Sequence, residues 1–224
     1  MAGQKLSTLE DKIDPRVVAL LVIDMLNEFV SPGGAWDRTG EDISLPQKAL
    51  SNIINLIARG REYGVLIVFI KSIYNTDDNR YLSDVFLQQA RRSKKGRYFE
   101  YPVCVPGSWG SELAPGLEAC PEDTIVIKHR FNAFFNTDLD LTLRSRGLRS
   151  LLITGVGTSV CVESTTREAF FRDYYNLIVG DCCGAYSREV HEQALRRMDH
   201  QYGQLVDSQA VIAAWSRMGV KLAG

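Results

Sequence analysis

The chain has 224 residues, enough for one domain with a large apolar core, and its 45% hydrophobic and 24% charged residues are ordinary for a globular protein. A formal net charge of -1 gives no reason to expect nucleic acid or an anionic membrane as a partner, and no apolar run is long enough to span a bilayer. Residues 1–15 are polar and lack the apolar middle of a secretory signal, so they read as an N-terminal tail before a domain over 16–224, and the expected location is the cytoplasm.

From residue 17 onward, apolar β-branched runs alternate with stretches of helical periodicity. Residues 17–23 (VVALLVI) predict a first strand. Residues 47–61 carry Leu50, Ile53, Ile54, Ile57 and Ala58 at helical spacing, with Tyr63-Gly64 as the stop. Residues 65–70 (VLIVFI) predict a second strand, 81–92 a helix and 124–127 a third strand. A helix over 139–146 ends at Gly147. Residues 150–154 (SLLIT) predict a fourth strand, followed by a helix over 162–174. A fifth strand over 177–179, a helix over 189–202, a sixth strand over 204–206 and a closing helix over 208–218 complete the chain.

Continuous apolar strands alternating with amphipathic helices predict an α/β fold. The expected form is a three-layer Rossmann-like sandwich: a central parallel six-stranded sheet with helices on both faces. The stretch 91–110 (RRSKKGRYFEYPVCVPGSWG) suits either a loop packed over a site or a plain surface connection. The five cysteines, Cys104, Cys120, Cys161, Cys182 and Cys183, are odd in number and lack Cys-x-x-Cys spacing, which speaks against a disulfide framework.

In parallel sheets ligands bind beyond the carboxyl ends of the strands. Asp24 follows the first strand, Lys128 the third, and Cys161 the fourth after the turn Gly155-Val156-Gly157-Thr158-Ser159-Val160. Taken singly, each has an ordinary reading: a helix cap, a solvated amine, a packed thiol. Together they make a nucleophile, a cation and a proton shuttle. A thiolate is the reactive form of cysteine, and a helix start and a nearby ammonium both favour it. A carboxylate would then move protons between thiol, leaving amine and water. Gly155 and Gly157 would let the turn approach a substrate closely, and its N–H groups would hold a tetrahedral oxyanion. A rival reading takes Gly155-Val156-Gly157 and Asp181 as a dinucleotide-binding unit, but Val160 stands at the third glycine position.

Three segments carry a resemblance over nearly the whole chain: LLVIDMLNEF (20–29), VIKHRFNAFFNTDLD (126–140) and LLITGVGTSVCVESTTREAFFRDY (151–174). They resemble the isochorismatase-like cysteine hydrolase family, which includes nicotinamidases, N-carbamoylsarcosine amidase, ureidoacrylate amidohydrolase and biuret hydrolase. The resemblance places Asp24, Lys128 and Cys161 at the family's catalytic triad. It also implies a cis peptide between Val156 and Gly157 and an oxyanion hole from the N–H groups of Gly157 and Cys161. Hydrolysis of a C–N bond through a covalent enzyme intermediate follows, without a cofactor. The resemblance further implies a homo-oligomer.

Within the family, SPGGAWDRTGEDIS (31–44), PGSWGSEL (106–113) and FFNTDLDLTLRSRG (134–147) resemble ureidoacrylate amidohydrolase, while DCCGAYS (181–187) resembles biuret hydrolase. The expected substrate is a small amide, ureido or carbamoyl compound; nicotinamide- and maleamate-type amides are the alternatives. The Asp-x-His…His metal site of nicotinamidases has no counterpart in KSIYNTDDNRYLSD (71–84), so no metal is expected, and Asp77 with Asp78 is a weak cation signal. Phe29, Trp36, Phe134 and Phe135 are candidates for an apolar substrate wall, with Asn75 and Asn136 as polar contacts; core packing competes for each aromatic. Lys71, Arg80 and Arg130 are the cations available to a substrate carboxylate, and Trp109 is a loop or subunit-contact candidate.

Overall fold

The computed structural model describes residues 5–74, 81–92 and 102–219, with backbone only at 90–92. Six strands form one sheet: β1 (Val18–Ile23), β2 (Leu66–Ser72), β3 (Thr124–Lys128), β4 (Ser150–Val156), β5 (Tyr175–Gly184) and β6 (Gln204–Val206). All neighbouring pairs are parallel, in the order β3-β2-β1-β4-β5-β6. The order reverses between β1 and β4, which opens a crevice at their carboxyl ends.

Strand β1 shows why both faces must be covered. All six of its residues are buried. Val18, Leu20 and Val22 join one core, and Ala19, Leu21 and Ile23 join the other, because successive side chains leave opposite faces of a strand. The first core is roofed by α1 (Leu9–Ile13), α4 (Ser44–Glu62) and α9 (Ser208–Met218). The second is roofed by α6 (Leu139–Ser145), α7 (Glu163–Phe171) and α8 (Arg188–Gln201). Two short helices, α2 (Asn27–Val30) and α3 (Ala35–Arg38), lie directly after β1, and α5 (Asp84–Arg92) follows β2.

Local chemistry explains the helix bounds. On α4, Ala49, Ile53, Leu56, Ile57 and Gly60 are buried, one stripe at helical spacing. Ser187 caps α8 by accepting from Val190 N–H, and Asp207 caps α9 by accepting from Ala210 N–H. Within the expected tail, Thr8 and Asp11 form a reciprocal capping box that starts α1. The end of α1 is docked rather than free: Ile13 is fully buried, and its carbonyl accepts from Trp215 Nε1 at 2.8 Å. No helix among the described residues is long and apolar enough to cross a membrane.

Two strands run further than their sequence signal. β4 continues through Gly155-Val156, and β5 continues through Asp181-Cys182-Cys183-Gly184. Pairing with buried neighbours holds these polar and glycine-rich ends in the ladder, with Gly155 opposite Cys183. All five cysteines are free.

Candidate active site

The carboxyl edge of the sheet gathers Asp24, Ser72, Lys128 and Cys161. Asp24 takes φ +53° directly after β1, a left-handed conformation that aspartate tolerates better than most residues. Its N–H donates to Ile70 O at 2.9 Å, so the turn stays tied to β2. Lys128 ends β3 and is completely buried. Its Nζ lies 2.7 Å from Asp24 Oδ2 and donates to Ser72 Oγ at 2.7 Å, Arg130 O at 3.2 Å and Cys161 Sγ at 3.5 Å. Ser72 N–H donates to the other Asp24 oxygen, Oδ1, at 2.9 Å.

Cys161 sits in a single π-helical turn, Thr158–Val162, that runs straight into α7. Such turns recur at functional sites because they re-aim one residue. Gly157 O accepts from Val160 N–H at 3.0 Å and Val162 N–H at 3.3 Å, which closes the turn. The peptide between Val156 and Gly157 is cis. Glu163, two residues beyond Cys161, is buried and accepts from Arg167 Nη2 at 2.6 Å and from Arg197 Nε at 2.8 Å. The bond to Arg197 on α8 anchors the start of α7. Burial raises the Glu163 pKa, but the two guanidinium groups outweigh it and hold it below the usual carboxylate range.

The electrostatics add one effect to the sequence expectation. Cys161 is only 8% exposed, and burial pushes its thiol up to about 12. The Lys128 charge acts to lower it and the Asp24 charge to raise it. Burial disfavours the Lys128 ammonium as well, but the charges of Asp24 and Cys161 prevail and its pKa is raised. Burial and the Asp24 charge therefore oppose ionisation of the Cys161 sulfur, and the Lys128 ammonium favours it. The expectation counted the cation and the helix start but not the desolvation of sulfur.

Three aromatic rings pack together beside the turn that carries Cys161. Phe29 and Trp36, both 5% exposed, have ring centroids 5.2 Å apart, and Tyr186 meets Trp36 edge-on at 5.2 Å. A Cβ placed on Gly157 would lie 3.2 Å from the Trp36 ring, so the indole rests on the turn that carries Cys161. Trp36 Nε1 is buried without a hydrogen-bond partner among the described residues. The loop 102–114 closes over the same edge: Ala114 N–H donates to Met25 O, Asn27 N–H to Glu112 O, and Asn27 Nδ2 to Trp109 O, at 2.9, 3.0 and 2.9 Å. Trp109 itself is 49% exposed.

Residues 18–210 match the profile of the Isochorismatase domain. The chain belongs to the isochorismatase family. Solved structures agree. An isochorismatase family protein from Desulfovibrio vulgaris is 28% identical, with 90% of this chain and 100% of that chain covered and a TM-score of 0.76. A cysteine hydrolase from Pseudomonas syringae pv. phaseolicola shares the fold at 21% identity, with 97% and 99% covered and a TM-score of 0.79. An N-carbamoylsarcosine amidase from Thermoplasma acidophilum shares it at 22% identity, with 86% and 96% covered and a TM-score of 0.67.

In this isochorismatase-family hydrolase several sequence candidates have contacts that the sequence did not predict. Gly155 takes φ +118°, and a Cβ there would lie 2.0 Å from Ile23 O, so its smallness serves the β1–β4 contact rather than substrate approach. Asp181, the ribose-binding aspartate of the dinucleotide reading, accepts from both Ser208 N–H and Ser208 Oγ, at 2.8 and 2.6 Å. Phe134 is core, packed 5.9 Å from Tyr174 and under the Arg172 guanidinium. Phe135 (52% exposed) and Asn136 (φ +53°) lie on the outer side of the β3–α6 loop. Arg130 donates to Tyr81 O and His129 O, and its guanidinium lies over Phe86. Asn75, Asp77, Asp78 and Arg80 lie outside the described residues. Among the described residues, no cluster of three His, Cys, Asp or Glu side chains could hold a metal ion.

Ser72 and Glu163 escaped the sequence reading. A serine two residues past an apolar run carries no charge to notice, and a glutamate at the start of a helix looks like an ordinary first-turn acid.

Proposed function

We propose that the protein is a cysteine amidohydrolase that cleaves a C–N bond of a small ureido or carbamoyl substrate. The observation that supports this best is the sharing of Lys128 Nζ between Asp24 Oδ2 at 2.7 Å and Cys161 Sγ at 3.5 Å. Asp24 Oδ2 faces the Lys128 ammonium at 2.7 Å, and a carboxylate oxygen keeps a second lone pair for the thiol proton. In this reading the Cys161 proton passes to Asp24 as Sγ attacks the carbonyl carbon. The N–H groups of Gly157 and Cys161 hold the oxyanion. Asp24 gives its proton to the leaving nitrogen, and ammonia or an amine departs. Asp24 then takes a proton from water, which attacks the thioester or thiocarbamate. The tetrahedral adduct collapses, the C–S bond breaks, and the sulfur recovers its proton.

The buried, unpartnered Trp36 N–H supports a substrate with a second acceptor oxygen. Buried donors without partners are rare and cost about 1–3 kcal/mol. A ureido or carbamoyl compound whose second carbonyl or carboxylate oxygen meets that donor would relieve the cost; a simple monoamide would not.

The test is ammonia release from ureidoacrylate, N-carbamoyl amino acids, biuret, triuret, maleamate and nicotinamide. At least one of the first four is expected to be the best substrate. Cys161→Ala and Cys161→Ser are expected to abolish its turnover while keeping the native melting curve. Turnover retained in both variants would reject the reading.

A further inference from the structure

We propose that Ser72 is a positioning residue for this reaction, holding Asp24 and Lys128 together so that one ammonium proton stays directed at Cys161 Sγ. Register places it there: β2 and β3 pair Ser72 directly with Lys128. The residue is completely buried. Its backbone N–H binds Asp24 Oδ1 at 2.9 Å, and its hydroxyl oxygen accepts from Lys128 Nζ at 2.7 Å. The hydroxyl proton goes to Tyr74 OH at 3.1 Å, which leaves the oxygen's lone pairs facing the ammonium. One residue therefore touches both charged partners of the thiol, one through its backbone and one through its side chain.

An ammonium has three protons. Lys128 has four acceptors around it, at 2.7, 2.7, 3.2 and 3.5 Å, and the sulfur is the farthest. The two short contacts, to Asp24 and Ser72, fix the nitrogen. Without the Ser72 oxygen, the nitrogen loses one of its two short anchors and only Asp24 holds it closely. The nitrogen would then settle toward the carboxylate and the Arg130 carbonyl, and the long contact to sulfur would be the first to go. Thiolate formation would become harder, although Asp24 and Lys128 would both remain.

Ser72→Thr and Ser72→Val provide a matched pair, equal in shape and differing in one hydroxyl. Iodoacetamide alkylation of Cys161 at a fixed pH, read by peptide mass spectrometry, reports thiolate formation without any substrate. Only the turnover measurement rests on the amide-hydrolase reading. The Val variant is expected to alkylate about tenfold more slowly than native, the equivalent of about one pH unit, through loss of one hydrogen bond to a charged group. Its kcat on the best amide is expected to fall, with KM within about twofold of native. The Thr variant is expected to keep native alkylation and kcat. If Val fails to fold, Ser72→Ala takes its place with the same expectation. Equal alkylation rates in the variants with and without the hydroxyl would overturn the proposal, whatever happens to turnover. A split in alkylation with no native activity on any amide would uphold the role of Ser72 and count against the amide reading alone.

Discussion

Ile23 and Gly155 meet across the β1–β4 pair so closely that a Cβ on Gly155 would lie 2.0 Å from the Ile23 carbonyl oxygen and 2.6 Å from its nitrogen. This contact sets how near the end of β1, with Asp24, comes to the turn that bears Cys161. Both obstructing atoms are backbone, so nothing can rotate aside. Gly155→Ala is expected to destabilise the protein by more than about 4 kcal/mol and to yield little folded material. Gly147→Ala is the control. Gly147 also has positive φ, but open space surrounds it, so its cost should be about 1–2 kcal/mol. Thermal unfolding of the two variants checks the contrast.

Removing the two charges beside Cys161 is expected to move its reactivity in opposite directions. The Asp24 carboxylate raises the thiol pKa and the Lys128 ammonium lowers it. In Asp24→Asn, alkylation of Cys161 at fixed pH should therefore be faster than native. In Lys128→Met it should be slower. Both variants should lose turnover, because one lacks the proton carrier and the other the cation. Slower alkylation in Asp24→Asn would contradict the opposing action of the two charges on the thiol.

Trp36→Phe keeps an aromatic ring between Phe29 and Tyr186 and removes only the indole N–H and part of the ring. For a substrate with a second acceptor oxygen, KM is expected to rise about tenfold with kcat changed much less, the effect of one lost hydrogen bond. For an amide without that second oxygen, both constants should hardly move. Steady-state kinetics on one substrate of each kind decides it; equal changes on both would assign Trp36 to packing.

Glu163 ties α7 to α8 and so holds the Cys161 turn. Its folded pKa lies below its ordinary value of 4.5, so its contribution to stability is full above that pH. The contribution is lost as pH falls through the folded value. The arginine partners are about 40% exposed, so the expected cost of Glu163→Gln near neutral pH is discounted to about 1–2 kcal/mol. A melting temperature about 3–6 °C lower at pH 7, with the gap to native narrowing in acid, is the expected result. A gap of constant size from pH 7 to pH 3 would show that the ion pairs contribute nothing.

Much of the architecture was legible in the residues. Apolar runs such as 17–23 and 65–70 can only be strands buried on both faces, and the helical stripe of 47–61 needs a sheet to cover. The functional edge followed from that pattern, because Asp24, Lys128 and Cys161 each end or follow a run. Less legible were Asp181-Cys182-Cys183-Gly184, which extend β5 against local preference because β4 supplies their partners. Phe29 and Phe134 look alike in sequence and both are buried, yet they serve opposite faces of the sheet, one beside Trp36 and the other beneath Arg172.

By itself the sequence determined the alternation of elements, the parallel sheet and the three ionisable residues at its edge, because periodicity and residue type are local properties. Only the tertiary structure decided how those residues behave. The protonation of Cys161 depends on how completely sulfur is removed from water, and that depends on packing between distant segments. The clasp of Ser72 on both Asp24 and Lys128 depends on strand register, which brings together residues 48 and 56 positions apart in the chain.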